Sequence, residues 1–246
     1  MSNSCVITNE EGWYKKALDT DLARPKFAIM NPEITYTLPD YQTQCGCADI
    51  MMHTMERYFV LEDTMEITDK IAQDVMKNVM KYAKILKKDP ENYEARAEIM
   101  WCGSLSHNGL TGCGTCGGDW ATHLIEHELG GMFDVAHGAG LAAVWGSWAR
   151  YVMDEKPERF AQFAVDVMGV EESDDVKSTA LKGIEAVEEF YRMIEMPTNM
   201  KELGINPTDE QIKDMAMKAT NHDTQQLGAF KKLSAKDLVE IYKTAK

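Results

Sequence analysis

From Asp40 almost to the C-terminus, apolar residues recur at three- and four-residue steps, the period of helices with one face on a core. The clearest stripe is Ile67, Ile71, Val75 and Val79 with Tyr82 and Leu86, while Lys70, Lys77, Lys81 and Lys84 fill the other faces. It predicts a surface helix. Two later helices show their starts. Thr208 followed by Gln211 fits a capping box, and Ser234 with Asp237 is a near variant ahead of the stripe Leu238, Ile241, Tyr242. The first 40 residues differ. Residues 5–8 and 26–30 are short β-prone runs bounded by turn formers, and Asn31-Pro32 and Leu38-Pro39 interrupt any helix. The expected fold is mainly α, with a helical domain over residues 41–246 and a short β segment in residues 1–40. Two strands are marginal alone, so partners are expected from elsewhere.

Charge narrows the partners. The 246 residues carry a formal net charge of −14, which repels nucleic-acid phosphates and anionic membrane surfaces alike. No nucleic acid and no membrane is expected to bind. No apolar run approaches the roughly 18 to 20 residues that span a bilayer, and the N-terminus lacks a basic start and an apolar stretch, so the expectation is a cytoplasmic protein. The six cysteines then read as reduced thiols. Cys113-Gly-Thr-Cys116 could be half of a zinc site, but no second pair stands at a suitable distance, and Cys45-Gly46-Cys47 is no closer to one.

Histidines and carboxylates supply the chemistry. Asp49 and His53 are four apart and share a helix face. Alone they are better explained by a surface contact. His123 and His127 also share a face, and Gly130-Gly131 is expected to break that helix and return His137 toward it. Three converging histidines with an Asp/His pair suit a metal ion. His123-x-x-Glu126-His127 also fits the inverzincin signature, in which both histidines hold zinc and the glutamate activates water. That zinc metallopeptidase reading leaves Asp49, His53 and His137 without a role. His222-Asp223 is the dipeptide of HD-type phosphohydrolases, but Asn221 and Thr224 beside it mark a polar turn. Spacing does not decide which histidines bind.

Longer runs do carry a resemblance: Pro32-Glu-Ile-Thr-Tyr-Thr-Leu-Pro39; Asp49-x-x-x-His53-x-x-Glu56-x-Tyr58; Ser106-His-Asn108; Asp119-Trp-Ala-x-His123-x-x-Glu-His127-Glu-Leu; and Asp134-x-x-His137-Gly-x-Gly-Leu141. Together they are similar to the iron-containing alcohol dehydrogenases, in particular the butanol dehydrogenase branch. The resemblance implies a helical, dehydroquinate synthase-like metal-binding domain in residues 41–246, with residues 1–40 as a remnant of the α/β domain that holds NAD(P). It implies that Asp49, His53, His123 and His137 are the metal ligands. His127 would stand near the nicotinamide as a proton relay, and Lys15 and Thr37 would contact the cofactor. The implied cofactors are a divalent metal, Fe²⁺ ahead of Zn²⁺, and NAD(P)H. The implied partners are a small alcohol or aldehyde substrate and further copies of the chain in a homo-oligomer.

Family members carry glycine-rich phosphate-binding segments before the position of Met1, and residues 1–40 hold none. The chain is therefore expected to be a truncated form with little activity alone. A non-catalytic metal-binding fragment is the competing expectation.

Overall fold

A computed structural model describes residues 3–62 and 65–246. Its only sheet among these residues is a hairpin: β1 (Ser4–Asn9) pairs antiparallel with β2 (Tyr14–Asp19), from Ser4 opposite Asp19 to Asn9 opposite Tyr14. Residues 26–30, expected as a strand, form none, and Phe27 and Ile29 lie exposed. The tight turn over residues 10–13, with Gly12 at φ +87° and Trp13 at +57°, delivers Tyr14 directly to β1. The nearer segment thus takes the ladder although Lys15 and Lys16 weaken its strand propensity.

Nine α-helices follow among the described residues, separated by short turns: α1 (Asp40–Tyr58), α2 (Glu66–Leu86), α3 (Tyr93–His107), α4 (Ala121–Phe133), α5 (His137–Val152), α6 (Pro157–Asp166), α7 (Val176–Met193), α8 (Asp209–Ala219) and α9 (Ala235–Thr244). The fold is mainly α. Both capping boxes form, Thr208 with Gln211 and Ser234 with Asp237. No helix among the described residues is long and apolar enough to cross a membrane.

The core runs along α1 and α5. Cys47, Ala48, Met51, Met52 and Met55 of α1 are buried, and α1 packs on α2, α3 and α5. A helix enclosed on several sides has no single apolar stripe, which is why its inner positions also hold Asp49, His53 and Glu56. Gly138 permits the closest approach, since a Cβ there would meet the Cys45 carbonyl oxygen at 2.0 Å. Phe59 stacks on Phe160 with centroids 4.3 Å apart, and Trp145 and Trp148 are buried beside Phe59.

Two helix details differ from the sequence pattern. In α2, Val75, Val79, Tyr82 and Leu86 are buried, but Ile67 is 67% exposed. Thr68 and Asp69 face inward in its place because they have partners: Thr68 donates to the Cys113 carbonyl and Asp69 takes a two-pronged bond from Arg159. The second difference lies in α4, which runs straight through Gly130-Gly131 and ends at Asp134, itself left-handed at φ +51°. The glycines make room instead of breaking the helix. A Cβ on Gly131 would meet the Trp13 carbonyl oxygen at 2.8 Å, and one on Gly130 would meet Lys15 Nζ at 2.7 Å. They allow the hairpin to lie on α4.

Candidate metal centre

Three elements converge where the hairpin covers the helices. Asp49 and His53 stand one turn apart on α1, His123 and His127 one turn apart on α4, and His137 opens α5. Asp49 Oδ1 lies 3.7 Å from His53 Nδ1, 3.6 Å from His123 Nε2 and 3.6 Å from His137 Nε2. Ligand atoms held at about 2.0–2.1 Å from a tetrahedral ion stand roughly 3.3–3.4 Å apart, so Asp49 Oδ1 is near ligand spacing from each imidazole; Asp49, His53 and His123 lie within 4.8 Å of one another, while His137 joins from the side of Glu126 and His127.

Burial tests the fit. Asp49 Oδ1 and His123 Nε2 are both buried and have no hydrogen-bond partner in the protein. Buried polar atoms left unpaired are costly, and a shared cation between them removes the penalty. One carboxylate with three imidazoles is a donor set suited to Fe²⁺ or Zn²⁺. The four residues fit a divalent transition-metal ion.

Two buried glutamates hold the imidazoles in place. Glu56 Oε1 pairs with His123 Nδ1 at 3.0 Å and also accepts the His123 backbone N–H at 3.0 Å. Glu126 Oε2 is hydrogen-bonded to His137 Nδ1 and to Lys15 Nζ, the latter at 3.3 Å. With each Nδ1 engaged, each Nε2 is left facing Asp49. The local electrostatics follow. Burial works against a charged His123, but the carboxylates of Asp49 and Glu56 beside it outweigh burial and raise its pKa to about 9. Burial likewise works against a charged Asp49, but the imidazoles around it hold its pKa well below the carboxylate range. His53 is pushed down to about 3, chiefly by burial.

His127 stands apart from Asp49, His53 and His123. It is buried, its ring centroid is 5.7 Å from that of His137, and burial together with the nearby His137 and Lys15 pushes its pKa down to about 3. It lies within 4.8 Å of Glu126 and His137, so His137 stands between this group and that of Asp49, His53 and His123. A second cation beside Glu126 is opposed by the Lys15 ammonium already there. The same contacts disfavour the inverzincin arrangement, because Glu126 is fully buried against His137 and Lys15 and is not presented to an attacking water.

The cleft over the site has a volume of about 510 Å³. The hairpin forms one wall with Ser4, Val6, Ala17 and Asp19, and Trp120, Leu124, Arg57 and His107 form others. Val6 pairs with Ala17 and Thr8 with Lys15, so strand alternation puts Lys15 on the cleft-facing side. Lys15 therefore reaches the centre. Thr37, by contrast, is exposed in the turn after the Pro32–Thr35 3₁₀ helix and does not line the cleft.

Sequence reasoning passed over His107, Trp120 and Arg57 as site residues. The His107 ring lies 4.2 Å from that of His53, and Trp120 is edge-on to His123 at 5.2 Å. Arg57 sits 4.5 Å over the Trp120 ring and donates to the carbonyls of His53 and Ser106. Their signal was present, since Ser106-His107-Asn108 and Asp119-Trp120 belong to the matched runs. Elsewhere, His222 and Asp223 occupy a left-handed turn, with Asp223 accepting the Ala235 backbone N–H at the start of α9. All six cysteines are free thiols.

Residues 43–246 match the model of the Fe-containing alcohol dehydrogenase family, C-terminal part. The NADH-dependent butanol dehydrogenase A of Clostridium acetobutylicum is 34% identical over 99% of this chain and 62% of its own length. The NADPH-dependent aldehyde reductase YqhD of Escherichia coli is 31% identical over 98% of this chain and 61% of its own. Among solved structures, NADH-dependent butanol dehydrogenase A from Thermotoga maritima superposes with a TM-score of 0.92 at 34% identity, covering 100% of this chain and 62% of that one. The chain thus spans less than two thirds of the length of these relatives.

Proposed function

Since the chain belongs to the Fe-containing alcohol dehydrogenase family, we propose that it forms the metal-holding part of an NAD(P)-linked alcohol dehydrogenase that interconverts small aldehydes and alcohols. The observation that carries this reading is the single oxygen of Asp49 set 3.6–3.7 Å from nitrogens of His53, His123 and His137. Those four residues are the proposed ligands of one divalent ion, Fe²⁺ ahead of Zn²⁺. When bound, the ion supplies Lewis-acid polarisation of a substrate carbonyl, which makes the carbon receptive to hydride from the reduced dinucleotide.

The chain's own residues do the rest. Asp49 contributes the one negative charge of the ligand set, and Glu56 and Glu126 keep two imidazoles pointed at it. Val6, Ala17, Leu124 and Trp120 give the cleft apolar walls, which keep bulk water from the reacting carbon. His127 is neutral at physiological pH and lines the same cleft. It passes the proton that the product oxygen gains, one ring nitrogen receiving as the other gives. Lys15 and Thr37 are the proposed dinucleotide contacts, Lys15 at the hairpin wall and Thr37 on the outer turn. No glycine-rich strand-to-helix turn occurs among the described residues to receive a pyrophosphate. Slow turnover by the 246-residue chain alone is the corresponding expectation.

Metal analysis of the purified chain and of His123→Ala and His137→Ala tests the site. One tightly held ion per parent chain, lost in both variants, is the expected result. Parent-like metal content in both variants overturns the ligand assignment. Titration with NADH and NADPH then separates a dehydrogenase from a non-catalytic metal-binding fragment.

A further inference from the structure

Glu126 is fully buried, at 0% exposure, and three glycines from two helices shape the space around it. A Cβ on Gly130 would lie 2.9 Å from Glu126 Oε1 and 2.7 Å from Lys15 Nζ, and one on Gly140 would lie 2.8 Å from Glu126 Cγ. Gly131 lets the Trp13 backbone approach within the same groove. The sequence thus forgoes helix propensity at three positions, about 1 kcal/mol each relative to alanine, around one carboxylate and the hairpin lysine that meets it. Lys15 crosses from β2 with only 15% of its side chain exposed, and its ammonium shares Glu126 Oε2 with His137 Nδ1. Its partner oxygen, Oε1, is buried without a hydrogen bond.

We propose that Glu126 is a positioning residue that joins the hairpin to the metal centre: through Lys15 on one side and His137 on the other, it makes hairpin docking and ion binding favour each other. The inference rests on the metal reading above. The physical basis is that a histidine ligand gains basicity and a fixed orientation from a carboxylate on its distal nitrogen. Lys15 holds that carboxylate where it faces His137. Docking of the hairpin therefore presets His137 Nε2 toward Asp49, and an ion held by His137 fixes Glu126 in the place where Lys15 binds it. By linkage the two effects have the same factor. The hairpin also walls the cleft with Val6 and Ala17, so the coupling would close the reaction space most firmly when the ion is present.

The test uses the 246-residue chain with Zn²⁺ as probe, reading Zn²⁺ affinity by competition with a chromophoric chelator and hairpin opening by amide hydrogen exchange over Ser4–Asp19. In the parent chain, exchange in the hairpin should slow about 5-fold or more on Zn²⁺ addition. Glu126→Gln should weaken Zn²⁺ binding about 10- to 100-fold and abolish the slowing. Lys15→Met and Gly130→Ala, which leave all four ligands and Glu126 itself in the chain, should also abolish the slowing and weaken binding. A simple loss of packing would lower melting temperature without changing the response of the hairpin to Zn²⁺. Parent-like Zn²⁺ affinity in folded Glu126→Gln, or hairpin exchange indifferent to Zn²⁺ in a parent chain that binds it, overturns this inference alone. A parent chain that takes up no Zn²⁺ overturns the metal reading and this inference with it.

Discussion

Replacing Asp49 with alanine separates a metal centre from a merely polar core. In the folded chain Asp49 Oδ1 is buried and unpartnered, flanked by three imidazole nitrogens at 3.6–3.7 Å. Its removal subtracts the anionic donor of the proposed site. It also removes a buried charge whose main attraction is to a protonated His123. Leaving the protonated His123 without its buried partner should destabilise the metal-free chain, by up to about 3–5 kcal/mol. With ion the outcome is different. At a free ion concentration 1,000 times Kd, binding stabilises the parent chain by about 4.1 kcal/mol. For a domain of this size each 1 kcal/mol raises Tm by roughly 2–4 °C, so the parent should gain about 8–16 °C. Asp49→Ala should gain less than about 2 °C at the same ion concentration, because one-carboxylate, three-imidazole coordination is lost. Thermal melts with chelator and with Zn²⁺ or anaerobic Fe²⁺ measure both numbers. An undiminished metal-dependent shift in Asp49→Ala would show that the ion sits elsewhere and refute the argument.

Three further outcomes follow from the same geometry. His127→Ala should retain its metal, while in a protein carrying the relatives' full length its reduction rate should fall about 10²- to 10⁴-fold, the usual worth of a proton-transfer group; loss of the ion would instead favour the inverzincin arrangement. Zn²⁺ affinity should climb as pH rises and level off near 9, because His123, raised to about 9, must give up a proton to bind; below that pH the slope approaches tenfold per unit, and a flat profile from pH 6 to 8 in chelator competition would contradict it. Gly138→Ala should destabilise the fold by about 1–3 kcal/mol or more in denaturant unfolding, since its Cβ would meet the Cys45 carbonyl oxygen at 2.0 Å and drive α5 off α1; wild-type stability would mean that the two helices pack less closely than described.

Periodicity alone determined the mainly helical character of the chain, the start of the first long helix at Asp40 and the two capped helices near the C-terminus, because those signals are local: a 3.6-residue stripe or a capping box is complete within one element. The pairs Asp49/His53 and His123/His127 were legible for the same reason, each being a single turn of one helix. Tertiary structure alone decided what spans elements. It placed the second strand at Tyr14–Asp19, since pairing depends on which segment the turn delivers to β1. It carried α4 through Gly130-Gly131, because those glycines answer to the hairpin lying on them and to no local turn. It exposed Ile67 and buried Thr68 and Asp69, whose partners, Cys113 and Arg159, are remote in sequence. It also set His127 apart from His123, although the two share one helix face: only the approach of Asp49 from α1, with Glu56 behind the His123 ring, distinguishes the nitrogen that faces Asp49 from the one that faces the cleft.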